Sequence, residues 1–111
     1  MRALQQTSLQ GPQDTRLIAD APVPKPGPGE ILIRVAAAGV NFVDISRATG
    51  RSWAAPSHRI WAGFEAAGEI VEVGESVIGL QLGDRVIGGG DGAFAEYMVL
   101  PAAAVALPSA R

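Results

Sequence analysis

The chain has no cysteine and a single histidine, His58. The first absence excludes disulfides and thiolate metal sites, and the second excludes a metal cluster built from imidazoles. No apolar run approaches the roughly 20 residues that a bilayer-spanning helix needs. The opening segment, MRALQQTSLQGP, has no apolar core of signal-peptide length. Excess charge of either sign is also missing: the formal net charge is −2 and no basic patch stands out, which argues against a nucleic-acid partner. Together these absences predict a soluble, cytoplasmic protein that binds neither membrane nor nucleic acid.

Glycine and proline are plentiful, 14 and 8 in 111 residues. Such punctuation predicts turns and short strands rather than a helix bundle. An apolar content of 48% suffices for one core, so residues 1–111 read as one mainly β domain with one or more short helices.

The stretch from Ala62 to Gly74 organises the rest. Its second half alternates, with Ile70 and Glu72 facing one way and Val71 and Val73 the other, which is the period of a strand. Gly63, Gly68 and Gly74 punctuate it, and glycine in or beside a strand marks a bend or a close approach. Gly68 is the expected bend. Further strands are predicted over Met1–Thr7, Arg16–Asp20, Glu30–Ala37, Gly83–Ile87 and Ala93–Leu100, with a last short one around Ala106. The prolines of residues 22–28 predict an extended connector. Asn41 suits a helix N-cap, Asp44 its third position and Gly50 its stop, so residues 41–50 read as a short helix. Arg51 to Trp61 has no period and reads as a long loop. Gly88-Gly89-Gly90-Asp91-Gly92 reads as a plain turn. It leads into a strand and so offers no helix N-terminus to a phosphate. Ser109 resembles an N-cap with no helix behind it.

Five blocks occur in order: Pro26 to Val35, Ala38 to Asp44, Gly63 to Gly74, Gly83 to Val86, and Ala93 to Tyr97. In this the chain resembles the N-terminal part of medium-chain dehydrogenases/reductases, in the zinc-free quinone oxidoreductase-like branch. The resemblance implies a GroES-like, partly open β-barrel. It also implies that a Rossmann domain, absent from these 111 residues, binds NADPH in the cleft between the two units. No Gly-x-Gly-x-x-Gly follows a strand here.

In the zinc enzymes of the superfamily, cysteine stands at the position matching Asn41 and histidine at that matching Phe64. An amide and a phenyl ring cannot replace them on zinc, so no metal is expected. The implied chemistry is hydride transfer from NADPH to a quinone or enone, the cofactor carrying the reaction and the protein orienting it. Asn41 and Asp44 are the candidate catalytic residues. Asn41 is also the candidate contact to the cofactor, and both residues equally suit a helix cap. Phe42, Trp53, Trp61, Phe64 and Glu65 are candidates for the substrate wall. The alternatives are core packing for Phe42 and Trp61 and an internal ion pair for Glu65 with Arg51, Arg59 or Arg85. Tyr97 reads as core and His58 as surface. Two other functions stay open: a stand-alone, non-catalytic GroES-like interaction module, and part of an enoyl reductase acting on thioesters. A homodimer of the full protein is a further expectation.

Overall fold

The computed structural model describes residues 1–49 and 60–107. Its order is β1 (Ala3–Gln6), β2 (Thr15–Ile18), β3 (Glu30–Gly39), α1 (Phe42–Ala48), β4 (Ile60–Trp61), β5 (Glu65–Val73), β6 (Arg85–Gly89), β7 (Tyr97–Pro101) and β8 (Val105–Ala106). The strands form two open antiparallel sheets, β2-β1-β4 and β7-β3-β5-β6-β8, which do not close into a barrel. Residues 21–29 carry no strand or helix, as their prolines require.

The core is built in cross-strand rows on the larger sheet. Leu100, Ile31 and Val73 lie opposite one another, as do Met98, Ile33 and Ile70. Ile31, Ile33 and Leu100 are completely buried. Two register shifts make these rows possible. Leu32 pairs Glu72 and Ile33 pairs Ile70, so Val71 is an extra residue on β5. That bulge changes the parity of the strand: Ile70 is in the core and Glu72 is exposed, whereas Val73 packs against the core. The simple alternation expected for residues 70–73 is therefore broken, because one extra residue turns every later side chain to the opposite face. The second shift leaves Ala36 extra on β3, opposite the Ala67–Gly68 step. The bend expected at Gly68 is thus shared with its neighbour. A Cβ on Gly68 would lie 2.2 Å from the Arg34 carbonyl oxygen, so only glycine lets the strands approach here.

Several strand ends shift by a residue or two from expectation, and three differences matter here. Gly88 and Gly89 belong to β6, their backbones paired with Ala66 and Glu65, so the turn is shorter than the glycine run. Ile60–Trp61 forms a strand against Gln5 and Gln6. The strand expected from Ala93 begins only at Tyr97, because residues 93–96 are shared between the sheets. The Phe94 carbonyl accepts from Leu4 N–H at 2.9 Å, Glu96 N–H donates to the Arg2 carbonyl at 3.1 Å, and the Glu96 carbonyl accepts from Val35 N–H at 2.9 Å. Beside this seam the Arg2 backbone N–H donates to the Glu96 carboxylate at 2.6 Å and the Arg2 guanidinium at 3.4 Å. The backbone hydrogen bond first, and then the guanidinium, hold the Glu96 carboxyl below its ordinary range. Among the described residues no helix is long and apolar enough to cross a membrane.

Candidate functional site

β3 and β5 run antiparallel and end together: Gly39 is the register partner of Glu65. Two residues beyond Gly39 stands Asn41, and one residue before Glu65 stands Phe64, so the topology brings Asn41, Phe64 and Glu65 to one end of the sheet. The segment carrying Phe64 is held by its backbone. Phe94 N–H donates to the Ala62 carbonyl at 3.0 Å, Gly92 N–H to Gly63 at 3.2 Å and Gly90 N–H to Phe64 at 2.7 Å. Gly63 has φ +97°, and a Cβ there would lie 2.5 Å from the Phe94 nitrogen. Glycine at this position both takes the left-handed conformation and admits the second chain.

Asn41 is the N-cap of α1 and forms the expected capping box with Asp44. Its backbone N–H donates to Asp44 Oδ2 at 2.8 Å. Its side-chain nitrogen Nδ2 is buried and has no hydrogen-bond partner among the described residues. Capping and an available amide therefore coexist in one residue. Asp44 Oδ1 is likewise buried without a partner among the described residues, as is Arg47 Nε. Arg47 is only 4% exposed, and its Nη1 lies 2.9 Å from Oδ1 of the exposed Asp91.

The remaining candidates separate. Phe42 is 80% exposed, so the core-packing alternative for it is corrected: the first helical residue faces solvent. Phe64 is 42% exposed and lies over Gly89. Glu65 is exposed at the start of β5 and has no ion pair among the described residues. The internal pair considered for it with Arg85 is not formed, because Arg85 stands opposite Glu69, four register pairs along β5 from Glu65. Trp61 is half-buried and shares a cavity of about 200 Å³ with Tyr97, Pro22 and Pro24, whose lining does not include Asn41. Trp53, His58, Arg51, Arg59 and Ser109 lie outside the described residues.

Two features were not foreseen. One is the Arg47–Asp91 pair, which joins α1 to the glycine-rich turn. Nothing in the spacing of residues 47 and 91 signals it. The other is a concave area of about 610 Å³ bordered by Arg34, Ala67, Glu69, Arg85, Ile87 and Leu107. The alternation of β5 puts Ala67 and Glu69 on the face away from the core, but only strand pairing places Arg34 and Arg85 beside Glu69.

The donor set decides what this end of the sheet can hold. Asn41 offers an amide, Phe64 offers no donor, and among the described residues no three His, Asp or Glu side chains are placed to share an ion. That set does not fit a zinc ion. A free amide N–H at the same end of the sheet as an exposed aromatic ring suits a flat ligand that accepts a hydrogen bond.

A family model described as the alcohol dehydrogenase GroES-like domain matches residues 27–109. Prostaglandin reductase-3 of Bos taurus is 42% identical over 90 residues, 80% of this chain and 24% of that protein. L-threonine 3-dehydrogenase of Streptomyces avermitilis is 34% identical over 118 aligned positions, 79% of this chain and 34% of that protein. The crystal structure of Escherichia coli quinone oxidoreductase complexed with NADPH superposes with a TM-score of 0.89 at 28% identity, covering all of this chain and 34% of that one. The chain thus spans between about a quarter and a third of the length of these relatives.

Proposed function

This chain belongs to the alcohol dehydrogenase GroES-like domain family, in the quinone oxidoreductase-like part of the medium-chain dehydrogenases/reductases, and on that footing we propose that it is the substrate-side unit of an NADPH-dependent, zinc-independent reductase of quinones or other conjugated carbonyls. In this reading residues 1–111 are the GroES-like unit, and a nucleotide-binding Rossmann domain outside them completes the cleft. The protein as a whole is soluble and cytoplasmic, and binds small molecules rather than membrane or nucleic acid.

The observation that carries the reading is the Asn41 amide, with Nδ2 buried and free of partners among the described residues at the mouth shared by Phe64 and Glu65. A buried N–H left without an acceptor is costly unless a ligand supplies one. NADPH, when bound, supplies the hydride. Asn41 then donates its N–H to an oxygen of the substrate or of the nicotinamide carboxamide. Asp44 holds Asn41 through the backbone at 2.8 Å. Phe42 and Phe64, exposed here, form an apolar wall that excludes water from the reacting faces when the second domain closes. Glu65 marks the polar rim.

Fluorescence titration tests the reading. The 111-residue chain is expected to bind NADPH too weakly to measure, and the chain joined to its nucleotide domain to bind it and turn over a quinone or enone panel. Tight NADPH binding by the short chain alone, or a joined protein inert on the whole panel, would overturn it.

A further inference from the structure

Three polar side chains, Gln6, Asp44 and Arg47, border one small cavity. Asp44 presents Oδ2 to the Asn41 backbone and leaves Oδ1 buried without a partner among the described residues. Three residues on, along the same side of α1, Arg47 leaves Nε unpartnered among the described residues. Both residues border a cavity of about 20 Å³ whose other walls are Gln6, Ala48, Ala62 and Gly63. Gln6 is fixed in that wall: its Nε2 donates to the Ser8 and Gly11 carbonyls at 2.7 and 2.9 Å, and its Oε1 accepts from Thr15 Oγ1 at 3.0 Å. On its far side Arg47 reaches Asp91 at 2.9 Å.

A space of this size admits one water molecule, which needs about 10–15 Å³ and at least two polar partners. Arg47 Nε–H can donate to it, it can donate to Asp44 Oδ1, and Gln6 Oε1 has a second lone pair to offer. A guanidinium that is 95% buried needs this satisfaction on every nitrogen.

We infer that Arg47 is a positioning residue. Through one internal water to Asp44 and a direct ion pair to Asp91, it locks α1 onto the turn between β6 and β7 and so fixes the direction of the Asn41 amide. Asp91 sits at the solvent end of that chain and completes it. The consequence for turnover rests on the function proposed above, but the lock itself does not.

NMR of the ¹⁵N-labelled 111-residue chain separates the two. In Asp91→Asn, a change at an exposed position that leaves the shape intact, α1 backbone amides are expected to exchange with solvent at least tenfold faster while β3 and β5 amides keep their protection. The Asn41 side-chain N–H₂ signals should shift in the same variant. Arg47→Lys keeps the charge without Nε, so it should lose the water cross-peaks to Ala62 and Gly63 amides yet retain more α1 protection than Arg47→Met. Unchanged α1 exchange and unchanged Asn41 signals in Asp91→Asn would overturn the lock. So would loss of protection spread evenly over both sheets, which marks a merely structural pair. No cofactor enters these measurements, so failure of the NADPH titration leaves them intact, and the reverse.

Discussion

At the scale of single residues, Asn41 carries two roles that a substitution can separate. Serine is as good an N-cap as asparagine, but it has no amide. Asn41→Ser is therefore expected to leave thermal stability within about 1 kcal/mol of the parent and to lower turnover of the joined protein by roughly a hundredfold to a thousandfold. Equal turnover in a kinetic assay would remove Asn41 from the site. Glu96 makes a different prediction. Its folded-state pKa is depressed below the ordinary 4.5 by the Arg2 backbone and guanidinium. Protons are then bound more readily by the unfolded chain, so the stabilisation is fully present above the ordinary carboxylate range and fades as pH falls through the lowered folded value. Urea unfolding at a series of acidic pH values should show that slope, and Glu96→Gln should flatten it. An identical slope in the variant would assign the acid sensitivity to other carboxylates.

At the scale of elements, pairing between β3 and β5 depends on bulges and on close backbone approach. With a Cβ on Gly68 only 2.2 Å from the Arg34 carbonyl, Gly68→Ala must push the strands apart at the bend. It is expected to cost about 2 kcal/mol, in the range of overpacked cores, measured by denaturant unfolding. A loss below about 0.5 kcal/mol, the size of a surface change, would mean that the bend yields freely. Much of this level was legible in advance. The α1 cap and the existence of β1, β2, β3, β5 and β6 follow from residue type and period. The bulges at Val71 and Ala36 were not legible, because each is defined by a partner strand more than thirty residues away and neither Val nor Ala announces one.

At the scale of the molecule, Val40, Phe42, Ile87 and Leu107 are exposed at 79, 80, 55 and 37%. If they face a second domain, the 111-residue chain should bind an apolar dye and associate with rising concentration, and both effects should shrink in the joined protein. Dye binding that is equal in the two would show that this surface is solvent-facing in both.

Of the candidate site, the choice of Asn41, Asp44 and Phe64 and the expectation of no zinc rest on residue chemistry alone, since a ligand's donor atoms do not depend on where the chain puts them. Local spacing settled the cap, because its partners are three residues apart. Tertiary structure alone decided that Phe42 is outside, that Glu65 is unpaired with Arg85, that Trp61 turns to another cavity, and that Arg47 is buried against Asp91. Those outcomes depend on which segments lie side by side, and burial and ion pairing between distant residues are properties of that arrangement, not of any stretch of sequence.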